Sequence, residues 1–279
     1  MRELANTFQD QVSSRQKRSI KVQSVFVVIA SLSLWTVYAQ QSPPEATPQR
    51  PTFTNDTSTT EPGTLEIEFG ATGPANRVTL PAAIKFTPPA ERGLFHRMEF
   101  SLGFDSLERV VVEGEGKIKF GESLDLMVRR RVWSGQGLSL AVAPKMEFFL
   151  RGKSGALIGG KGIAVYGFGL NSLVVNVSGM GATSPSDSNP GWVAEIAAGY
   201  GRALSDHGTA SRFSVAFEVL NGFSKGQESV LSLLQGLSYR PRPDLVFDLA
   251  VEQRGLRSGK FEMVLQGGLT YNIGRIWPQ

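Results

Sequence analysis

The chain has 279 residues, of which 41% are hydrophobic and 19% are charged, and its mean hydropathy of −0.09 is that of an ordinary polar protein. It has no cysteine, which excludes disulfide scaffolds, cysteine-based zinc sites and thiol nucleophiles. The formal charge is +4, but residues 1–39 hold five of the 29 basic and two of the 25 acidic side chains, which leaves 24 against 23 beyond them. This near balance argues against nucleic acid as a partner.

Residues 1–39 are typical of a Sec-type signal peptide. A cationic stretch at 15–21 precedes an apolar stretch, and Val37 and Ala39 stand at the −3 and −1 positions of the predicted cleavage site. The alternative is an uncleaved anchor helix, because the 18 residues from Val22 to Ala39 carry no charge and nearly reach the length that spans a bilayer. Both interpretations predict that the rest of the chain is exported.

Residues 40–63 are rich in Ser and Thr and contain five prolines. Because this composition cannot bury a hydrophobic core, we predict a flexible periplasmic segment that leads to the first strand.

From Thr64 onward the dominant pattern is alternation with a period of two residues. Leu65, Ile67 and Phe69 alternate with Glu66 and Glu68, and the longest such run covers 138–150. Similar runs occupy 78–86, 98–104, 110–120, 124–128, 163–168, 173–177, 192–200, 213–219, 231–239, 245–251 and 261–273. The pattern predicts an all-β fold over residues 64–279. We expect an antiparallel transmembrane β-barrel of about 12 strands, in which lipid-facing apolar residues alternate with lumen-facing polar ones.

Clusters of Gly, Pro, Asn, Asp and Ser predict turns between the runs. These clusters lie at 71–74, 88–89, 134–137, 184–191, 206–208, 221–222 and 240–244. The Gly-rich stretch 159–162 lacks the full spacing of a phosphate-binding loop and is predicted to be a hairpin turn. The charge runs at 113–116 and 129–131 are typical of a solvated turn and a solvated strand end.

A soluble sandwich of two sheets produces the same alternation and is the main alternative fold. The barrel is favoured because about thirteen strands would be many for one sandwich core. Tyr and Trp residues also fall within or at the ends of the runs, as in interfacial girdles. The last run, with Leu269, Tyr271, Ile273 and Trp277, resembles the terminal signal that barrel-insertion machinery recognises, although Arg275 interrupts it. We therefore expect that machinery and outer-membrane lipid as partners.

The charged residues between the apolar ones are the candidate lining of the lumen. They are Glu66, Glu68, Arg77, Lys85, Arg97, Glu99, Lys145, Glu147, Glu218, Asp248 and Glu252, with Asp125, Arg129, Arg131, Glu195, Arg212 and Glu262 in the same pattern. Both signs are present, so these side chains either pair across the lumen or line an open channel. A plugged interior is equally compatible with twelve strands.

Three short stretches carry a resemblance to a known family. They are Arg50-Pro51-Thr52-Phe53-Thr54-Asn55-Asp56-Thr57, the opening of the first predicted strand at 62–70, and the closing Gly268-Leu269-Thr270-Tyr271-Asn272-Ile273. With the leader and the strand spacing over residues 50–277, they resemble the outer-membrane family named for the meta pathway of phenol degradation. The resemblance implies a barrel that transports aromatic or other hydrophobic compounds, and it supplies no binding residue.

These observations predict an outer-membrane channel or transporter for small solutes, with hydrophobic or aromatic compounds as candidates. No enzymatic activity, metal or cofactor is expected. One alternative is a structural or adhesion-type closed barrel without transport. The other is an outer-membrane lipid hydrolase, which would need His96 or His207 as the base for a serine.

Overall fold

The structure, a computed structural model, describes residues 43–49, 52–74, 77–89, 93, 95–112, 115–121, 123–150, 155–185, 191–208, 212–257, 259 and 261–277. The predicted signal peptide, residues 1–39, lies outside these described residues. Within them, no helix is long and apolar enough to cross a membrane.

Thirteen β-strands build the described part of the chain. They are β1 (Thr64–Gly73), β2 (Arg77–Phe86), β3 (Met98–Val112), β4 (Glu115–Phe120), β5 (Ser123–Gly135), β6 (Leu138–Phe149), β7 (Ala156–Phe168), β8 (Asn171–Ala182), β9 (Trp192–Ala203), β10 (Phe213–Ser224), β11 (Val230–Arg242), β12 (Leu245–Arg254) and β13 (Glu262–Arg275).

The sheet closes on itself. Neighbouring strands pair antiparallel, and β13 pairs with β1 through contacts such as Ile67↔Tyr271. Both β4 and β5 pair with β3, where Leu107↔Phe120 continues into Phe104↔Leu124. Because β4 and β5 extend along the same edge of β3, they form one interrupted strand. The result is a closed barrel of twelve antiparallel strands, which confirms the predicted fold and replaces the sandwich alternative.

Side chains alternate between two environments along the strands. In β12, Phe247 and Leu249 are exposed while Asp248 and Glu252 are buried. The charges therefore lie inside the barrel and the apolar side chains form its outer surface. This arrangement suits a barrel in lipid, where every backbone group must be paired and the outer face must be apolar.

The exposed apolar surface extends around the barrel. It includes Phe69, Ile84, Phe100, Leu126, Leu140, Val142, Ile158, Leu173, Val175, Val177, Ile196, Phe217, Val219, Leu233, Leu237, Phe247, Leu249, Met263 and Leu265. We refer to these residues as the apolar belt.

Two predicted turns are wrong. Residues 159–162 lie in the middle of β7, where Gly160 pairs with Pro144 on one side and with Gly179 on the other. Asn221-Gly222 lies within β10 and pairs with Leu231 and Val230. In both places the strand continues because two neighbouring strands pair with it, which outweighs the local preference of Gly and Asn for turns.

The charge run at 129–131 is also not a solvated strand end. It lies inside β5, and the side chain of Arg129 is completely buried. The turn part of the other charge run, residues 113–114, lies outside the described residues.

The strand directions define two ends of the barrel. We call the end at which β1 starts and β13 finishes the proximal end, and the opposite end the distal end. The proximal turns include 136–137, 169–170 and 243–244. At the distal end, β6 finishes at Phe149 and β7 starts at Ala156, and β8 finishes at Ala182 and β9 starts at Trp192. The proximal connections from β2 to β3 and from β9 to β10 are longer.

Candidate functional site

The described residues just before the first strand lie inside the barrel. We call residues 43–60 the lumen segment; its described residues are 43–49 and 52–60. Thr54, Thr57 and Thr60 are buried, and the segment makes hydrogen bonds to inward-pointing side chains of many strands. The described residues 43–49 and 52–60 therefore lie in the lumen, whereas the composition of 40–63 predicts a flexible periplasmic segment. The segment has no hydrophobic core of its own, but the charged wall of the barrel satisfies its backbone groups.

The lumen segment follows the inner wall almost once around. It enters at the proximal end, where the N–H of Ala46 donates to the carbonyl of Pro243. It then meets β1 at Glu66 and Glu68, β10 at Glu218, β8 at Asn176, β7 at Lys161, β6 at Ser139, β5 at Arg129 and β3 at Glu99. It returns to the proximal end beside Thr87 and continues into β1.

Four carboxylates bind the backbone N–H groups of the lumen segment. Glu66 accepts from Thr47 at 2.6 Å and Glu68 from Gln49 at 2.7 Å. Glu218 accepts from two consecutive residues, Phe53 at 2.6 Å and Thr54 at 2.9 Å, and Glu99 accepts from Thr60 at 2.8 Å. Hydrogen bonds to a charged acceptor are stronger than neutral ones, at about 1.5–3 kcal/mol each.

Cations and one amide bind the carbonyl groups of the same segment. Lys85 donates to the carbonyl of Thr47 at 2.7 Å, Arg129 to that of Asp56 at 3.2 Å and Arg131 to that of Thr57 at 3.1 Å. Asn176 makes two hydrogen bonds to the backbone of Asn55, one to its N–H at 2.7 Å and one to its carbonyl at 3.0 Å. The wall therefore makes more hydrogen bonds to the backbone of the segment than to its side chains.

The carboxylates and cations that hold the segment also pair with one another. Lys85 lies 2.8 Å from Glu66 and 2.5 Å from Glu68, and Arg129 lies 2.5 Å from Glu99. All five side chains are almost completely buried. Charges buried this deeply are tolerated only when they are paired and hydrogen-bonded, and the lumen segment completes that set of partners.

A second group of charges faces open space in the distal half. Lys145 lies 3.2 Å from Asp125 and 3.7 Å from Glu147, and these side chains stay partly exposed. Glu252 accepts hydrogen bonds from Arg254 and Gln266.

The remaining predicted lining residues lie in three places. Asp248 is buried in β12. Arg77 is exposed at the distal start of β2, in step with the inward Lys85. Arg97 is exposed in the proximal turn before β3, with a φ of 55°. Arg77 and Arg97 therefore lie at the rims of the barrel and not in its middle.

Cavities remain on both sides of the lumen segment. A distal cavity of about 590 Å³ lies against β9–β13 and is lined by Glu228, Glu252 and Arg254. A second distal cavity, of about 320 Å³, contains Asp125, Lys145, Glu147, Lys161 and Glu195. A proximal cavity of about 410 Å³ lies against β8–β11 and is lined by Asp56, Arg202 and Glu218.

Gln49 and Thr52 form the partition between these spaces. Both line the larger distal cavity and the proximal cavity, and Gln49 lines the smaller distal cavity as well. The side chain of Gln49 is 9% exposed, and its amide oxygen and nitrogen have no hydrogen-bond partner in the described part of the chain. The segment thus divides the lumen into a distal and a proximal compartment.

The two histidines lie far apart. His96 is in the turn between β2 and β3, and His207 is in the turn between β9 and β10. These turns are six strands apart in a barrel of twelve, so they lie on opposite sides and cannot serve the same serine. Ser205 contacts the backbone of His207, whose side chain is exposed beside Asp206.

Solved structures share this architecture. A KdgM porin matches with a TM-score of 0.52 at 8% identity, covering 74% of this chain and 98% of that chain. A NanC porin matches with a TM-score of 0.52 at 9% identity, with the same coverage. The fold is that of outer-membrane porins. The outer-membrane location predicted from the sequence agrees with this porin fold and with the apolar belt. No family model matches the sequence, and no curated protein matches it.

The predicted lining omits several residues that hold the lumen segment. Asn176 alternates with Val175 and Val177, so the period of two is the signal that identifies it. The Gly neighbours of Lys161 favour a turn, and Ser139 carries no charge that would mark it as a lumen residue. The lumen segment itself gives only a weak signal, namely Thr residues spaced along an extended, Pro-containing stretch.

Proposed function

We propose that this porin-fold barrel is a channel of the outer membrane that passes small hydrophilic solutes. The observation that carries the proposal is the charged inner wall beside compartments on both sides of the lumen segment. A wall of this kind keeps the lumen wet and offers hydrogen bonds to polar solutes.

The solute class follows from the exposed charges. Asp125, Lys145 and Glu147 are partly exposed in the distal compartment, and Glu195 is exposed. Neighbouring charges of opposite sign favour polar or zwitterionic solutes over apolar ones, which would have to displace water from these groups. Hydrophobic or aromatic solutes, which the family resemblance implies, stay a prediction.

The proposal is tested by flux through purified, refolded protein in liposomes. Liposome swelling with sugars and amino acids of graded size should show entry of small polar solutes with a size limit. Folded state is checked in the same samples by heat modifiability on a gel. Liposomes that stay sealed with the correctly folded full chain and also with the folded variant that lacks residues 43–60 would contradict the channel.

Ion selectivity gives a residue-level test of the same path. The change Lys145→Gln removes a cation beside Asp125 and Glu147, so the reversal potential in a salt gradient should move toward cation selectivity. The control Arg109→Gln removes one positive charge from an exposed position on the outer face of β3, where Arg109 pairs with the exposed Val78 and Ile118, and should leave the potential unchanged. Equal shifts from both variants would contradict a path past Lys145.

The second candidate is a closed barrel with a structural or adhesive role. The lumen segment favours it, because Gln49 and Thr52 separate the compartments. The flux measurement distinguishes the two functions when it is made on the full chain and on a variant that lacks residues 43–60.

A further inference from the structure

We propose that the lumen is a binding site for an extended polypeptide backbone, and that residues 43–60 occupy it reversibly as the gate of the channel. The inference rests on the proposed function, because a gate needs a path to close. It adds to that function the claim that the carboxylates and cations of the wall bind a peptide backbone.

The first argument is the kind of contact. The wall supplies acceptors to backbone N–H groups at Thr47, Gln49, Phe53, Thr54 and Thr60. It supplies donors to three backbone carbonyls through Lys85, Arg129 and Arg131. Carboxylates that accept from N–H groups and cations that donate to carbonyl groups together form a surface that can bind an extended backbone. Other modes of peptide binding also rely on main-chain hydrogen bonds.

The second argument is that the segment is not built into the sheet. Among the described residues, one backbone-to-backbone hydrogen bond joins 43–60 to a strand or turn of the barrel, from Ala46 to Pro243 at the proximal entrance. The hydrogen bonds deeper in the lumen are made to side chains, which can exchange them for water. The segment can therefore leave without breaking any strand pairing.

The third argument is the place of attachment. The segment joins the barrel only at the proximal end, where it runs past Thr87 into β1 at Thr64. Its far part includes Gln49 and Thr52, which form the partition between the compartments. A segment tethered at one rim and released from the wall would swing out through the proximal opening and join the compartments into one path.

The decisive experiment locks the segment in place. The hydroxyl oxygens of Thr57 and Ser139 lie 2.6 Å apart, and the chain has no cysteine, so Thr57→Cys with Ser139→Cys provides one clean crosslink. The matched control is Thr60→Cys with Thr87→Cys, where the hydroxyl oxygens lie 2.8 Å apart at the tethered end. Crosslinking the control pair leaves residues 43–57 free to move.

Conductance of single barrels in planar bilayers is the readout. We expect oxidation of the Thr57/Ser139 pair to abolish openings and reduction to restore them, while the control pair opens in both states. Deletion of residues 43–60 should give a channel that stays open.

If the Thr57/Ser139 pair conducts equally when oxidised and reduced, the segment is not a gate, while the proposed channel function is unaffected. If neither the deletion variant nor the reduced forms conduct although they are folded, the channel itself is wrong.

Peptide binding tests the recognition without relying on conductance. A fluorescent synthetic peptide with the sequence of residues 43–60 should bind the folded deletion variant. Glu218→Gln in that variant should weaken binding by about tenfold, because two N–H bonds lose a charged acceptor. The control Glu195→Gln changes an exposed lumen carboxylate that bonds to Ser178, and should leave binding unchanged. Absence of binding, or equal loss in both variants, overturns the assignment of the wall to peptide recognition.

Discussion

At the scale of single residues, the interior is organised by charges that would be costly if left alone. The side chains of Arg129 and Glu99 are 0% and 1% exposed and lie 2.5 Å apart. Glu99 also accepts the N–H of Thr60, and Arg129 donates to the carbonyl of Asp56. Each charge is therefore matched both by an opposite charge and by the backbone of the lumen segment.

Removing one member of this pair should destabilise the barrel. In the variant Glu99→Ala, Arg129 stays buried without its carboxylate, and such losses typically cost about 3–5 kcal/mol. The control Glu195→Ala removes an exposed carboxylate, and we expect a change of less than about 1 kcal/mol. Urea unfolding in detergent micelles, followed by tryptophan fluorescence, measures both free energies of unfolding. Similar values for the two variants would show that the pair is not isolated from solvent.

The period of two places Glu66, Lys85, Glu99 and Glu218 on the face opposite the apolar residues, and all four are buried. It does not indicate what these side chains bind. Their partners in the lumen segment are up to 165 residues away along the chain, as for Glu218 and Phe53. A local pattern carries no information about contacts at that separation, so the occupied lumen could not be predicted.

At the scale of elements, β7 shows why local turn signals failed. A Cβ atom built on Gly159 would lie 2.0 Å from the carbonyl oxygen of Gly179 in β8. Glycine at this position allows two backbones to approach closely and does not mark a turn. The strand bounds, by contrast, follow the alternation closely, because burial on one face and exposure on the other fix the register.

The change Gly159→Ala should therefore push β7 and β8 apart. We expect a loss of about 1–3 kcal/mol in the free energy of unfolding, which is typical of forcing extra atoms into a packed place. The control Gly179→Ala places its Cβ where no atom lies within 4 Å and should have little effect. The same urea titration compares them, and an equal effect of both changes would contradict the close approach at Gly159.

The lumen segment is the element whose behaviour the sequence alone describes least. Its Pro and Thr residues cannot form a hydrophobic core. The segment is nevertheless held in place, because side chains of the barrel wall hydrogen-bond to its backbone. Ordering each residue costs about 1–2 kcal/mol, and each charge-assisted hydrogen bond returns about 1.5–3 kcal/mol. The cost of ordering the segment is therefore opposed by the hydrogen bonds that the barrel wall supplies.

At the scale of the whole molecule, closure of the sheet and the apolar belt are both features that a barrel needs in order to lie in lipid. β13 pairs with β1 and β2 pairs with β3, so the sheet closes on itself, and the apolar residues of the alternation face outward, as a barrel in lipid requires. Mean hydropathy could not reveal this, because the charged lumen and the apolar belt cancel in an average over the chain.

A charge on the apolar belt should be costly in lipid. Leu249 is 60% exposed in the middle of β12, so Leu249→Arg should lower the free energy of unfolding by about 2–4 kcal/mol in a bilayer. Glu195→Arg, which places the same side chain in the lumen, should cost much less. Unfolding and refolding in thin-bilayer vesicles gives both values, and a tolerated Leu249→Arg would mean that this surface does not face acyl chains.

The most direct test of the account asks which face of the strands meets water. Single cysteines at Lys145 and at Leu140, both on β6, are introduced into the cysteine-free chain and reconstituted in liposomes. A membrane-impermeant thiol reagent should label the Lys145→Cys protein and leave the Leu140→Cys protein unlabelled. Labelling at Leu140 together with protection at Lys145 would contradict the assignment of lumen and lipid faces on which the channel and its gate depend.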